Sequence, residues 1–330
     1  MKKYNKLKEI LAYTKSKYNK IIDKPSVTHL NITDRCNFSC QQCSIWKKKT
    51  GKELTTNEWE VIIKKLKNQL KIRVIKFTGG EPLLRHDIFR LIEFCKKNNL
   101  FTGMSTNAYL IDKENAKKLK DAGLNEIFIS IDSIKKHDIL RRRKGAYQKA
   151  INAINLLKTS DMFIGIATVI TNYNLKEILN LVDFAKQNKL DSIFFQPLYQ
   201  NFGEEYDPKW YLKSELLPKY NLQLAKIIDS LIEFRKKYGL IGNPPEQLEV
   251  FKQYFKNPKK RFPKECKTGT SDIAIDPYGN MLLCFNLKPI GNLLKKEPLD
   301  LWNSDEAEKR RKEILNCKRT CNLLNCNFKQ

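Results

Sequence analysis

The chain has 330 residues, 41% of them apolar, and its 62 Lys and Arg against 36 Asp and Glu give a formal charge of +26. That length supports one large domain with a smaller one beside it, and the apolar fraction excludes a disordered basic tail. A positive surplus this large predicts a negatively charged partner, or serves solubility alone.

Residues 1–24 carry eight lysines against two acids, with Leu7, Ile10, Leu11 and Tyr18 at helical spacing, and read as an N-terminal basic helix. This stretch lacks the unbroken apolar run of a secretory signal, and no run of about 18 apolar residues follows, so the chain reads as cytoplasmic and without a membrane span. From Val27 onward, β-rich runs alternate with helical patterns. Strands are expected over 27–32, 73–77, 101–105, 126–131, 163–170 and 192–196. A helix opens at Thr55 with Glu58 in capping-box spacing, and others are expected over 86–97, 113–122, 146–157 and 175–187. Six βα units in a row predict an α/β fold, a parallel sheet curled into a partial (β/α)6 TIM-like barrel with ligands at the carboxyl ends of its strands. A long basic helix over 213–237 then leads through Asn243-Pro244-Pro245 to a Lys/Pro-rich connection. The expected organisation is a basic helix (1–24), a core (25–240), a linker (241–265) and a small cysteine-rich domain (266–330).

Nine cysteines are an odd number for a disulfide framework, and two clusters of soft thiolate ligands point to metal. Cys95 shares a helical face with Ile88, Leu91 and Ile92 and belongs to the core. Cys36, Cys40 and Cys43 follow the first strand in C-x-x-x-C-x-x-C spacing. Three thiolates can wrap one face of a cubane iron–sulfur cluster, leaving one iron open to bind something, whereas a structural zinc wants four ligands.

This spacing, together with Gly79-Gly80-Glu81-Pro82-Leu83 after the second strand, resembles the radical S-adenosylmethionine (AdoMet) superfamily over residues 27 to about 200. The C-terminal segment resembles the SPASM/twitch group of that superfamily. The resemblance implies a [4Fe-4S] radical cluster on Cys36, Cys40 and Cys43, whose open iron chelates AdoMet. One electron then cleaves the sulfonium, and the 5′-deoxyadenosyl radical takes a hydrogen atom from substrate. It further implies that Gly79 and Gly80 let backbone approach a ligand and that Glu81 pairs with the methionyl amino group. Asn107 is expected near the ribose, with Ala108 where relatives carry glycine. Ser130 and Arg141 are expected at the AdoMet carboxylate, with Arg142 and Arg143 leaving the register open by one. Gln42 stands where relatives mostly carry an aromatic, and its backbone is expected to read the adenine edge.

In the C-terminal segment, Asp276-Pro277-Tyr278-Gly279-Asn280 reads as a hairpin turn that brings Cys266 and Cys284 together. Cys317, Cys321 and Cys326 follow. Cys266, Gly279 and Cys284 match the opening pattern of the SPASM/twitch group, which implies one auxiliary [4Fe-4S] cluster; a structural zinc is the other reading. One cubane takes at most four protein ligands. Cys266, Cys284 and Cys326 are the expected ligands, with Cys317 and Cys321 competing for the fourth place; the spare thiol either has no role or serves as a hydrogen donor, as in radical epimerases. His29, His86 and His137 read as structural, His137 being the best exception because it precedes Arg141.

The resulting expectation is a radical AdoMet enzyme, of oxidoreductase or epimerase type, acting on a carbohydrate, cyclitol or nucleotide-linked small molecule. A maturase of a ribosomally made peptide, forming a thioether, a C–C crosslink or an epimer, is the alternative. Only 26 residues precede the first expected strand, short of the leader-binding domain that many such enzymes carry. From another class, a non-catalytic iron–sulfur nucleic-acid-binding protein would use the basic surface, but no aromatic-and-basic stripe accompanies it. An acidic electron donor such as flavodoxin or ferredoxin would use the same charge.

Overall fold

A computed structural model describes residues 24–200, 204–262, 266–324 and 327–328. The expected basic helix, up to residue 23, and Cys326 lie outside the described residues.

The first strand, β1 (Val27–Asn31), buries Thr28 and Leu30 towards the helical layer and turns His29 and Asn31 to the other face, where they line a cavity. The chain crosses to α1 (Thr56–Leu70), whose start is the capping box expected from sequence. The Glu58 N–H donates to the Thr55 hydroxyl at 3.3 Å, and the Thr55 N–H donates to the Glu58 carboxylate at 2.7 Å. Its stripe of Trp59, Ile62, Ile63, Leu66 and Leu70 is buried.

The same unit repeats through β2 (Val74–Thr78), α2 (Ile88–Lys97), β3 (Phe101–Thr106), α3 (Lys113–Ala122) and β4 (Glu126–Ser130). It continues through a short α4 (His137–Arg141), α5 (Ala146–Leu157), β5 (Phe163–Ile170), α6 (Ile178–Gln187) and β6 (Ser192–Pro197). Strand boundaries fall within one residue of those read from sequence. Cys95 is fully buried among the apolar residues of α2, as expected. Inside the sheet, Lys76 and Glu126 pair across Gly103, where a Cβ would stand 2.8 Å from both Lys76 Cδ and Glu126 Oε1. Glycine in the intervening strand is what lets that ion pair close.

Two differences from the sequence reading follow from proline chemistry. The helix expected over 213–237 is broken into α7 (Trp210–Lys213) and α8 (Leu222–Tyr238). Pro218 can neither donate an N–H nor leave Leu217 free to be helical, and Asn221 re-caps the chain by accepting the Leu224 N–H at 2.9 Å. The segment expected as a linker holds α9 (Pro245–Lys256). Pro245 occupies the first turn, where its missing N–H costs nothing, and Leu248, Phe251 and Phe255 are buried. Just before it, the Asn243 side chain hydrogen-bonds the backbone of Phe195 on both sides, at 2.7 and 2.9 Å, and covers the β6 edge.

The C-terminal strands β7 (Asp272–Ile275), β8 (Asn280–Leu282) and β9 (Gly291–Asn292) extend the same sheet, in the order β6-β5-β4-β3-β2-β1-β7-β8-β9. β7 runs parallel to β1, and β8 returns antiparallel through the expected hairpin, with Gly279 at φ +84°. The molecule is thus an α/β partial barrel whose small C-terminal unit is stitched to its first strand. Two short helices, α10 (Pro298–Trp302) and α11 (Asp305–Leu315), close that unit. Among the described residues, no helix is long and apolar enough to cross a membrane.

Candidate functional site

The cysteine loop leaves β1 at Asn31 and is held from two sides. From the β2 end, the Gly80 N–H donates to Thr33 O at 2.7 Å and the Glu81 N–H to Arg35 O at 2.8 Å. A Cβ on Gly79 (φ +139°) would lie 2.3 Å from Thr33 O, and one on Gly80 would lie 2.0 Å from Arg35 O. These glycines thus permit close approach to the backbone of the cysteine loop, and Gly79 also lines a cavity. From the α4 side, the Gln41 N–H donates to Leu140 O at 2.9 Å and the Gln41 amide to Ile139 O at 2.8 Å. The Trp46 indole N–H donates to Cys43 O at 2.8 Å.

Burial raises the Cys36 thiol to about 11, against an opposing hydrogen bond from the Phe38 backbone. Burial also raises Cys40, with Arg141 pulling the other way. Charge on Cys40 or Cys43 would raise Cys36 further, and charge on Cys43 would raise Cys40. A coordinating metal deprotonates such thiols outright, so loading this loop would release protons.

Glu81 is buried, and burial is the main reason its carboxyl is raised, although three hydrogen bonds oppose it. It accepts from the Thr106 hydroxyl at 2.7 Å, the Asn107 N–H at 2.8 Å and the Leu83 N–H at 3.1 Å, fastening the β2 turn to the end of β3. The Asn107 amide donates to Asn37 Oδ1 at 2.8 Å, reaching the cysteine loop.

The carboxylate that organises the opposite side is Asp132, to which the sequence reading gave no role. It is fully buried, accepts from the Gln42 amide at 2.6 Å, and lies 2.7 Å from Arg141 Nε. Arg141 Nη1 is 3.8 Å from Cys40 Sγ. Burial disfavours the Arg141 charge, yet Asp132 and Cys40 outweigh it and hold the pKa above the ordinary value. Arg142 caps α4 in the left-handed region, and Arg143 stacks on Tyr109. The only sequence signal for Asp132 is an acid two residues beyond Ser130, where the barrel strands open.

Gln42, Cys43, Ser130 and Arg141 line a cavity of about 1170 Å³ inside the barrel. Gln42 and Cys43 also wall a second one, of about 440 Å³, with Gly79, His29, Gln196 and Phe285. His29, Gln196 and Phe285 in turn line a third, of about 220 Å³, around Cys266, Cys284, Cys317 and Cys321. Three neighbouring cavities that share wall residues therefore lie between Cys43 and the second cysteine group. Cys284 is raised to about 11 by burial and senses Cys266 and Cys317, while the Asn286 N–H points at its sulfur from 3.4 Å. The Asn286 amide is 3.8 Å from Cys321 Sγ.

Among the described residues, no three His, Cys, Asp or Glu side chains are gathered closely enough for a single metal ion. A cubane attaches each thiolate to a different iron and so needs a wider cradle than one tetrahedral ion. The Cys36, Cys40 and Cys43 loop fits that demand. Its three cysteines share one small cluster with Phe38 and Tyr109, Cys43 faces the cavities, and the buried Gln42 Oε1 and Asn37 Nδ2 have no hydrogen-bond partner among the described residues.

The radical SAM superfamily model matches residues 30–185, and the SPASM iron–sulfur cluster-binding domain matches residues 266–327. The chain belongs to the radical SAM superfamily, whose enzymes use AdoMet and an iron–sulfur cluster. Within it, the C-terminal match makes it a member of the group that carries a SPASM domain. It is 31% identical to Fe-coproporphyrin III synthase of Methanosarcina barkeri over 69% of this chain, and the match spans 56% of that relative. It is 27% identical to PqqA peptide cyclase of Bradyrhizobium diazoefficiens over 82% of this chain and 69% of that protein. The fold overlays on Streptococcus suis SuiB bound to precursor peptide SuiA with a TM-score of 0.69 at 19% identity, covering 93% of this chain and 71% of that one. At that identity the likeness is one of fold.

Proposed function

We propose that this protein abstracts a hydrogen atom from a small polar molecule held between two iron–sulfur centres, in a dehydrogenation or an epimerisation. The observation that carries the reading is the 440 Å³ cavity, walled by Cys43 on one side and, on the other, by His29, Gln196 and Phe285, which also face the second thiol group. When bound, AdoMet and the clusters supply the 5′-deoxyadenosyl radical and a second centre that can take up an electron. Cys36, Cys40 and Cys43 hold the radical cluster. Gln42, Ser130 and Arg141 wall the space beside it and receive AdoMet, while Gly79, Gly80, Glu81 and Asn107 fix the loop and the strand ends that shape that space. Asn31, Lys48, His29 and Gln196 offer donors to hydroxyl or phosphate oxygens in the cavity between. The basic surface suits an acidic donor such as flavodoxin or ferredoxin in the cytoplasm.

Likeness to the PqqA peptide cyclase over 82% of the chain favours a second reading, in which a peptide side chain enters the same cavity. Isotope transfer separates the two. Reduced, reconstituted protein is incubated with AdoMet and C-deuterated polyols, sugar phosphates or peptides, and 5′-deoxyadenosine is examined for deuterium. Transfer from a small molecule supports the first reading; transfer from peptides alone overturns it.

The auxiliary site takes one [4Fe-4S] cluster in this reading. Cys266, Cys284, Cys317 and Cys321 surround its cavity, and Cys326 completes the set of five. If Cys317 or Cys321 is the spare thiol and donates hydrogen, one of Cys317→Ala and Cys321→Ala keeps the full iron complement but loses product. Loss of about four irons in both variants would contradict it.

A further inference from the structure

Asp132 touches none of the cavities of the proposed reaction and yet collects partners from across the barrel top. Oδ1 accepts the Val169 N–H of β5 at 3.0 Å, and Oδ2 accepts the Gln42 amide at 2.6 Å and pairs with Arg141 Nε at 2.7 Å. Its own N–H donates to His137 Nδ1 at 3.2 Å, and its carbonyl accepts from the Asn174 amide at 2.6 Å. The carboxylate is fully buried, and the Arg141 side chain is only 12% exposed. Both of its side-chain partners lead to the cysteine loop. Arg141 ends 3.8 Å from Cys40 Sγ, and Gln42 sits between Cys40 and Cys43.

We propose that Asp132 is a positioning residue of the radical centre: through Arg141 it sets the charge felt at Cys40, and through Gln42 it holds the turn between the second and third thiols. The inference rests on reading Cys36, Cys40 and Cys43 as the ligands of the radical cluster. Reduction adds negative charge to a thiolate-bound cluster, so a guanidinium against one sulfur favours the reduced state, and potentials of such clusters respond to charge and to hydrogen bonds at sulfur. A carboxylate neutralising that guanidinium works in the opposite direction. Because the pair is buried, water screens neither charge well.

The test is a redox titration read by EPR on reconstituted full-length protein, following the reduced-cluster signal that changes on adding AdoMet. Asp132→Asn, nearly isosteric, raises the midpoint by the equivalent of about a tenfold change in reduced fraction, ~59 mV for a one-electron couple. Arg141→Gln moves it the other way, and the double variant returns close to wild type. Where Asp132→Asn does not retain its iron, Arg141→Gln alone must lower the midpoint, because it leaves Asp132 bound to Gln42 and Val169. Unmoved midpoints, shifts of one sign in both variants, or loss of the cluster from both would overturn the inference. A purely structural role would cost iron without opposed shifts. If no signal of the wild type responds to AdoMet, the radical-cluster reading has itself failed and takes this inference with it.

Discussion

Replacing Cys36, Cys40 and Cys43 together with alanine is expected to lower the iron of anaerobically reconstituted protein from about eight to about four per chain and to abolish AdoMet cleavage. The two thiol groups stand on separate supports: the first is clamped between the β2 turn and α4, and the second is gathered by the β7–β8 hairpin and the segment after α11. Losing the first leaves the supports of the second untouched. The fold should survive, because the cysteine loop is fastened chiefly by backbone bonds from Gly80, Glu81 and Gln41 and not by thiols. Iron analysis with Mössbauer spectroscopy reads the first outcome, quantification of 5′-deoxyadenosine the second, and circular dichroism the survival of the fold. Iron falling from about four to zero would remove the auxiliary cluster.

Gly80→Ala is expected to act almost as strongly although it touches no ligand. The added Cβ would lie 2.0 Å from the Arg35 carbonyl oxygen and 2.5 Å from its carbon. Both are backbone atoms, so no side-chain rotation relieves the clash. The Cys36 end of the loop must move, and the bonds from Gly80 N–H to Thr33 O and from Glu81 N–H to Arg35 O go with it. Overpacking of this kind costs about 3 kcal/mol, and the lost hydrogen bonds add about 1 kcal/mol each. Denaturant unfolding should show a midpoint well below wild type, and iron content should fall towards that of the triple cysteine variant. Wild-type stability with full iron would mean that the turn does not brace the loop.

Much of the fold is legible in sequence because it is local. The β-rich run over Phe163–Ile170, the Thr55/Glu58 box and the Lys113–Ala122 stripe each state their own structure. The break at Pro218 and the helix opening at Pro245 are not legible in sequence, because one proline interrupts a helical pattern and the other starts one; a run of residues shows only that a proline is present. That β7 joins β1 cannot be read locally, since residues more than 240 apart must pair. The site divides in the same way. Cys36, Cys40, Cys43 and Gly79-Gly80-Glu81 advertise themselves by spacing, but what the glycines approach is settled only by the fold. Asp132 stayed hidden because its partners, Gln42, Arg141, Val169 and Asn174, are scattered along the chain and meet only where the strands end.

Most direct is the incubation of reconstituted, chemically reduced protein with AdoMet under anaerobic conditions, followed by quantification of 5′-deoxyadenosine. A radical cluster on Cys36, Cys40 and Cys43 predicts 5′-deoxyadenosine and methionine from the wild type and neither from the triple alanine variant. A wild-type protein with its iron in place that forms no 5′-deoxyadenosine would contradict it.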